Sequence, residues 1–298
     1  MPDKVLISGS SGLIGSALLP VLQSSGYEVT RLVRGAPSGK GQIKWDPAGA
    51  LAPESVSGFD AVIHLAGESI VGRWTEAKKR RILESRVQGT SNLAAALAAA
   101  PQRPRVLISG SASGYYGDRG DEILREDSSS GQAFTSELCR QWEGATEAAA
   151  KARIRTVPIR LGVVLSSAGG ALRKMLPPFR MGAGGNMGDG RQWFSWVDME
   201  DVIGAIQHIL ENQSLRGPVN LAAPNPVTNA EFTRTLASVL ARPAIFPMPA
   251  FAARLVFGQM ADELLLASQR LEPEKLLASG YVFQKPELRQ ALEGILKR

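Results

Sequence analysis

The sequence predicts an α/β protein: a doubly wound parallel sheet carrying a smaller C-terminal α+β lobe. Three observations predict it. Short apolar runs and longer amphipathic segments alternate for the first two hundred residues, the first run leads straight into glycines at 9, 12 and 15, and the pattern changes beyond residue 165. Strands joined through helices must run parallel, and a parallel sheet is covered on both faces.

The N-terminal stretch KVLISGSSGLIG, Lys4 to Gly15, reads as strand, glycine turn and helix. The strand is expected over Val5–Ser8 and the helix over Leu13–Ser25, closed by Gly26. Gly9 permits the turn, Gly12 lets backbone approach a diphosphate, and Gly15 lets the helix pack close to the strand. The amides around Leu13 and Ile14 at the helix start are then offered to anionic oxygens, with the Ser10 and Ser11 hydroxyls as further donors. The alternative is a plain strand-to-helix turn with no ligand.

Further strands are expected at Glu28–Val33, Gln42–Trp45, Ala61–Leu65, Arg105–Ser109 and Arg155–Leu161. Helices are expected at Thr75–Ala100, Thr135–Ala152 and Met199–Asn212. Ligands of such sheets bind at the carboxyl ends of the strands. That edge carries Gly9–Gly15, Arg34, Leu65–Glu68, Ser109–Gly117 and Gly162–Leu165. Beyond it, Ala171–Arg180 reads as a short helix stopped by its prolines, Met181–Arg191 as a glycine-rich excursion, and Trp193–Val197 as a return to the sheet. TNAE, Thr228–Glu231, is a capping box ahead of the helical run Phe232–Leu240. Short elements follow at Ile245–Met248, Ala250–Val256, Glu263–Ser268, Pro273–Ser279 and Pro286–Leu296. The division expected is residues 1–165 with about 193–222 in the Rossmann-type domain, and about 166–192 with 223–298 in the lobe.

Composition narrows the function classes. The 298 residues are 44% hydrophobic and 21% charged, ordinary for a folded soluble chain. One cysteine, Cys139, excludes an internal disulfide, and with only His64 and His208 no metal-ligand spacing arises. No apolar stretch is long enough to span a bilayer and residues 1–25 lack a leader pattern, so a cytoplasmic protein without membrane partner is expected. The net charge is +6, and Lys78-Lys79-Arg80-Arg81 is a conspicuous basic run. Without a nucleic-acid motif it reads as the solvated face of a helix.

At the end of the second strand, NAD-preferring enzymes keep an acid for the ribose hydroxyls; here the run is TRLVR. Val33 takes the acid position and Arg34 follows. A carboxylate would repel a 2′-phosphate, whereas a guanidinium binds one, so NADP(H) is the cofactor expected. The alternative is a surface arginine at a strand end.

These residues resemble the extended short-chain dehydrogenase/reductase superfamily, with its GxxGxxG start and the strand DAVIHLAG, Asp60–Gly67. Within it the chain is most similar to the NADP-dependent epimerase-like family, which has a small C-terminal domain of its own. GSSGLIG, IHLAGE, LISGSASGYYG, FTSELCRQWE, IRLGVVL, KMLPPFRMGAGG and LEPEKLLASGYVF carry the resemblance along nearly the whole chain. It implies that Leu65, Ala66 and Gly67 line the adenosine side, that Ser109 and Ser111 end a strand beside the nicotinamide, and that Gly162, Val163 and Val164 border that ring. Arg86 stands where many members keep an asparagine, either as a helix-surface residue or against the cofactor phosphates. A homodimer through the helices over 75–100 and 135–152 is implied as well.

One departure bears on the reaction. The superfamily's acid/base device is Tyr-x-x-x-Lys, and alignment on Glu143 puts Thr135 and Cys139 in those places. Ser111 keeps the position of the hydroxyl beside the substrate. Replacement proton donors are Tyr115, Tyr116, Glu68 and Glu143, each with a packing or capping alternative; Cys139 reads as a small buried apolar residue. Arg191 and Trp193, or Trp196, with Glu68, are the substrate-side candidates, and Asp201 is expected to cap or orient the following helix. The implied function is an NADP(H)-dependent oxidoreductase or epimerase-like enzyme acting on a small carbonyl, alcohol or nucleotide-sugar-like molecule. The alternative is a catalytically silent NADPH-binding sensor or scaffold.

Overall fold

The computed structural model describes residues 4–39 and 41–297. In chain order the elements are β1 (Lys4–Ser8), α1 (Leu13–Ser24), β2 (Glu28–Val33), β3 (Gln42–Lys44), β4 (Ala61–His64), α2 (Glu76–Ala99), β5 (Val106–Ala112) and β6 (Ile123–Leu124). There follow α3 (Phe134–Gly144), α4 (Glu147–Lys151), β7 (Arg155–Leu161), β8 (Val163–Leu165), α5 (Gly170–Arg180), β9 (Trp193–Phe194), β10 (Trp196–Asp198) and α6 (Met199–Glu211). The chain ends with β11 (Val219–Leu221), β12 (Val227–Thr228), α7 (Asn229–Leu240), α8 (Ala250–Phe257), β13 (Arg270–Leu271), α9 (Glu274–Ala278) and α10 (Leu288–Leu296).

Seven strands form the central sheet in the order β3-β2-β1-β4-β5-β7-β11, every pair parallel. Strand order reverses between β1 and β4, so the turn after β1 opens onto the crevice where such sheets bind ligands. Side chains alternate across the sheet. Val5, Ile7, Ile63 and Ile108 pack with Leu18 and Leu22 of α1 and with Val202, Ile206 and Ile209 of α6. Leu6, Val62 and Leu107 pack on the other face with Leu93 and Leu97 of α2 and Ala149 of α4. Burial on both faces is why these strands read as unbroken apolar runs. Ala94 and Ala96 of α2 lie in the same core, so the alanine-rich side of that helix serves intrachain packing.

Four expectations are revised. The helix over 135–152 is two: the Ala145 amide bonds Gln141 while the Thr146 hydroxyl donates to the Glu143 carbonyl at 2.7 Å, and the chain bends after Gly144. Pro177 and Pro178 lie within α5. Their missing N–H groups leave the carbonyls of Arg173 and Lys174, both exposed residues, to solvent, and the helix continues to Arg180. Strands β9 and β10 do not rejoin the sheet; β9 pairs antiparallel with β12, and β10 pairs with β8. Strand β5 extends three residues beyond Ser109, because β7 pairs with it along its whole length.

A third core, built from Leu172 and Leu176 of α5, Phe232 and Leu236 of α7 and Leu292 of α10, closes around Trp196. Thr228 caps α7 at its N-terminus, with the Glu231 amide donating to Thr228 Oγ1 at 3.2 Å. A smaller cluster of Trp74, Ile82, Leu138 and Met260 ties the stretch after α8 to the start of α2 and to α3.

Candidate functional site

The glycine turn shows which of its glycines the protein itself requires. Gly9 has φ +71°, and a Cβ there would lie 2.6 Å from the Leu65 carbonyl carbon. A Cβ at Gly15 would lie 2.2 Å from the Gly9 carbonyl oxygen. At Gly12 φ is −76° and the nearest atom to a Cβ would be 3.2 Å away. Two glycines therefore answer to close packing of backbone, while the third faces a cradle left clear. No side chain caps α1 and no acid stands in its first turn, so the amide end of the helix is available to an anion, with Ser10 and Ser11 on the exposed rim. Those features fit a dinucleotide diphosphate.

Beside this turn, Arg34 follows β2 and Glu68 follows β4. Lys78 Nζ lies 2.8 Å from Glu68 Oε1, and this hydrogen bond, with the charges of Lys78, Arg81 and Arg34, holds the Glu68 carboxyl below the usual range. Lys78 of the basic run thus turns toward Glu68 at the carboxyl edge of the sheet, while Arg80 and Arg81 are exposed. Arg86 is not a helix-surface residue. Its Nη1 donates to the Glu68 carbonyl at 2.9 Å, its guanidinium lies 5.0 Å from the Trp142 ring centre, and burial lowers its pKa. Gly67 leaves room for it, since a Cβ there would come within 3.2 Å of Arg86 Cζ.

Beneath the turn, His64 is fully buried between Ser8 and Thr90. Its Nδ1 is 2.6 Å from Ser8 Oγ and its Nε2 3.0 Å from Thr90 Oγ1, which also accepts from Trp142 Nε1 at 3.0 Å. Burial pushes the imidazole pKa down to about 4. The neutral ring is favoured only in the folded state, so the stability it contributes is complete above about pH 6.5 and is lost as pH falls toward 4. An NMR titration of the two histidines is expected to show one imidazole still neutral at pH 5; if both titrated near their ordinary value, this buried network would be wrong.

At the carboxyl end of β5, Ser111 Oγ donates to Glu143 Oε1 at 2.7 Å. Arg160 of β7 grips the same carboxylate with two bonds, Nε to Oε1 at 2.8 Å and Nη2 to Oε2 at 2.9 Å. Its Nη1 donates to the Tyr116 hydroxyl at 2.9 Å, and that hydroxyl donates to Asn220 Oδ1 at 2.6 Å. Tyr116 as proton donor is therefore corrected: it has no exposed surface, and burial pushes its pKa up to about 12. Tyr115 is half-buried with its ring 3.5 Å from the Arg160 guanidinium carbon, which makes it a platform for that arginine. Glu143 is the paired carboxylate of this network. Ser109 is buried and bonds only locally, to the Gly110 carbonyl at 3.4 Å. Gly162 admits the Ser195 carbonyl, 2.8 Å from where a Cβ would sit, and Val163 and Val164 continue into β8.

The two replaced positions lie one helical turn apart on α3. Cys139 is buried against the Ala112 carbonyl, its thiol pushed up to about 12 by burial, so it is neither a nucleophile nor a base at neutral pH. The Thr135 amide and hydroxyl both donate to Glu263 Oε2, at 2.8 and 2.9 Å, and Gln259 Nε2 donates to Oε1 at 2.6 Å. Glu263 is thus a carboxylate delivered to the tyrosine position from beyond α8. The sequence offered no signal for it, because the contact spans 128 residues.

The glycine-rich stretch carries less than expected. Arg191 is 90% exposed and lies 3.9 Å from Asp189. Trp193 Nε1 donates to Asp121 at 2.8 Å, with the Arg270 guanidinium 4.3 Å from its ring centre. Trp196 is fully buried and donates to the Asn225 carbonyl at 3.1 Å, so it cannot stack on a ligand. Asp198, not Asp201, caps α6, through the Glu200 amide at 2.7 Å. Asp201 instead accepts from the amides of Gln284 and Lys285 at 2.7 and 2.9 Å and so pins the C-terminal stretch.

Comparison with known proteins agrees with this architecture. A family model described as the NAD dependent epimerase/dehydratase family matches residues 5–222, and a domain of unknown function, DUF1731, matches residues 248–295. Epimerase family protein Mb2239 of Mycobacterium bovis is 43% identical, the match covering 97% of this chain and 96% of the relative. Human epimerase family protein SDR39U1 is 40% identical, over 98% of this chain and 99% of the relative. The crystal structure of human SDR39U1 (isoform 2) with NADPH superimposes with TM-score 0.91 at 38% identity, covering 99% of both chains. With its parallel seven-stranded sheet, its glycine turn at the strand-order reversal and these relatives spanning its length, the chain belongs to the NAD dependent epimerase/dehydratase family, with a DUF1731 domain at its C-terminal end.

Proposed function

We propose that the protein binds NADP(H) and catalyses hydride transfer to or from a small carbonyl or alcohol carbon, a nucleotide-sugar-like substrate included. The observation that carries the cofactor reading is Arg34 standing directly after Val33 at the end of β2, where an acid would otherwise repel a 2′-phosphate. The human relative's crystal structure with NADPH supports it. In this reading the α1 amide end and Ser10 and Ser11 hold the diphosphate, Leu65, Ala66 and Gly67 flank the adenosine, Arg86 supports the Gly67–Glu68 backbone, and Ser109, Gly162, Val163 and Val164 border the nicotinamide. The nicotinamide, when bound, supplies the hydride donor or acceptor.

Ser111 donates its hydrogen bond to Glu143, and the lone pairs of its oxygen remain able to accept one from a substrate hydroxyl. Arg160 holds that carboxylate in place through its two hydrogen bonds. Glu263 is the proton-handling group at the tyrosine position, where it replaces a phenol by a carboxylate oriented through Thr135. Substrate enters from the side of Glu68, Arg191 and Trp193. A second reading, a sensor or scaffold without turnover, is favoured by the inert Cys139 thiol at the lysine position.

Two measurements test these readings. Arg34→Ala is expected to weaken NADPH binding by roughly tenfold to a hundredfold, the loss of one charge-assisted hydrogen-bonding partner, while NADH binding changes little. Equal weakening of both cofactors, followed by fluorescence titration, would remove the 2′-phosphate argument. Deuterium at C4 of the reduced cofactor is expected to appear in product from a panel of carbonyl compounds and nucleotide sugars; tight NADPH binding without any transfer selects the sensor.

A further inference from the structure

The amino edge of the central sheet, opposite the glycine turn, holds a cavity of about 580 Å³. It opens at the starts of β4, β5 and β7, beside the end of α6. Among the described residues four arginines line it: Arg105 directly before β5, Arg153 after α4, Arg155 at the start of β7 and Arg216 ahead of β11. The acids of the cavity are Asp60 and Glu211. Asp60 is engaged, since Arg105 Nη2 donates to its Oδ1 at 2.9 Å and the Lys4 amide donates to its Oδ2 at 3.0 Å. Glu211 is exposed on the last turn of α6 and, among the described residues, forms an ion pair with none of these arginines.

Arg153, Arg155 and Arg216 thus share one cavity without a carboxylate partner among the described residues. Arg155 is half-buried, and its Nη1 and Nη2 donate to the carbonyls of Leu215 and Ile209 at 2.7 and 3.0 Å. Those bonds hold the guanidinium in place but bring no negative charge to it. Burial, and then the charge of Arg216, lower the Arg155 pKa, so the two guanidiniums stand close enough to repel. A bound anion would turn that repulsion into attraction.

The backbone at Arg153 is an independent observation. Its amide donates to the Ala150 carbonyl at 2.9 Å and the Ile154 amide donates to the Ala149 carbonyl at 3.0 Å, the two bonds that close a helix on a left-handed residue. Glycine is the usual residue at that position, yet here an arginine takes it with φ +66°. The Arg153 side chain is exposed and makes no ion pair among the described residues, so no charge contact within the chain offsets the strain.

We propose that this cavity binds a small polyanion carrying two adjacent phosphate groups, with Arg153 and Arg216 contacting the phosphates and Arg155 adding its charge. The enclosed volume suits a small molecule. No aromatic ring lines it among the described residues, so recognition rests on charge and on the fit of guanidinium forks to phosphate oxygens. The glycine turn lies at the carboxyl edge of the same sheet, which makes this a second site.

The test is calorimetric titration of the full chain with inorganic pyrophosphate and with inorganic phosphate, each repeated with NADPH in excess. Pyrophosphate is expected to bind at least roughly tenfold more tightly than phosphate, to weaken with salt, and to bind equally with NADPH present. The double variant Arg153→Gly/Arg216→Ser is expected to bind pyrophosphate at least roughly tenfold more weakly, with a melting temperature equal to or above wild type because glycine relieves the left-handed strain. Arg216→Ser alone, changed at an exposed side chain, should weaken it by about threefold or more. Absence of pyrophosphate binding, or binding by the double variant like the wild type, overturns the proposal. Binding abolished by NADPH also overturns it, because the pyrophosphate would then sit at the glycine turn.

Discussion

Glu143→Ala is expected to destabilise the fold by about 3–5 kcal/mol, the cost of leaving one partner of a buried ion pair without the other. The side chain of Arg160 is 3% exposed and that of Glu143 14%. Burial opposes the guanidinium charge, but the two hydrogen bonds and the charge of Glu143 more than offset it and hold the Arg160 pKa above its ordinary value. With the carboxylate gone, a protonated arginine would stay among Tyr115, Tyr116 and the Glu126 carbonyl, and Ser111 would lose its acceptor. Glu143→Gln keeps an oxygen acceptor and the shape, so it should fall between wild type and alanine. Urea unfolding measures the difference; an alanine variant within about 1 kcal/mol of wild type would mean that the pair contributes no more than an exposed one.

The glycine turn provides the second large effect, in the form of a contrast. Gly15→Ala would drive a methyl to 2.2 Å from the Gly9 carbonyl oxygen, so β1 and α1 must separate or the turn must distort. Overpacking of that kind costs about 1–3 kcal/mol, and cofactor binding should fall with it. Gly12→Ala meets nothing nearer than 3.2 Å at an ordinary φ, so its melting temperature should stay close to wild type. Its NADPH affinity should nevertheless drop by more than roughly tenfold, because the methyl occupies the cradle where a diphosphate approaches backbone. A Gly12→Ala protein that binds NADPH like the wild type would show that this cradle does not hold the phosphates.

Legibility followed the range of the interaction. The strands at Glu28–Val33 and Arg155–Leu161 were readable to the residue, because their short runs rich in β-branched and apolar residues are bounded by turn residues such as Gly26, Gly35 and Gly162. The spacing of Gly9, Gly12 and Gly15 marked the turn because the positive φ of Gly9 and the packing of Gly15 on the Gly9 carbonyl are set within a few residues. Arg34 was readable for the same reason, standing at a fixed step from a strand end.

Side-chain partners were another matter. Tyr115 and Tyr116 are adjacent and alike in sequence, yet one forms a half-exposed platform and the other is locked to Arg160 and Asn220 inside the core. Asp198 caps α6 in place of Asp201, which pins the C-terminal stretch, since only the folded chain brings residues 284 and 285 to Asp201. Glu263 reaches Thr135 across 128 residues, and its arrival at the tyrosine position depends on how the stretch after α8 packs on Trp74, Ile82 and Leu138.

The sequence by itself determined the parallel sheet, the glycine turn and the basic strand end, because periodicity, backbone sterics and charge at a strand terminus are set within a few residues. Only the tertiary structure decided which carboxylate stands where the family's tyrosine is missing, and that Asp201 pins the C-terminal stretch. Those juxtapositions depend on the packing of segments far apart in the chain, which no local pattern encodes.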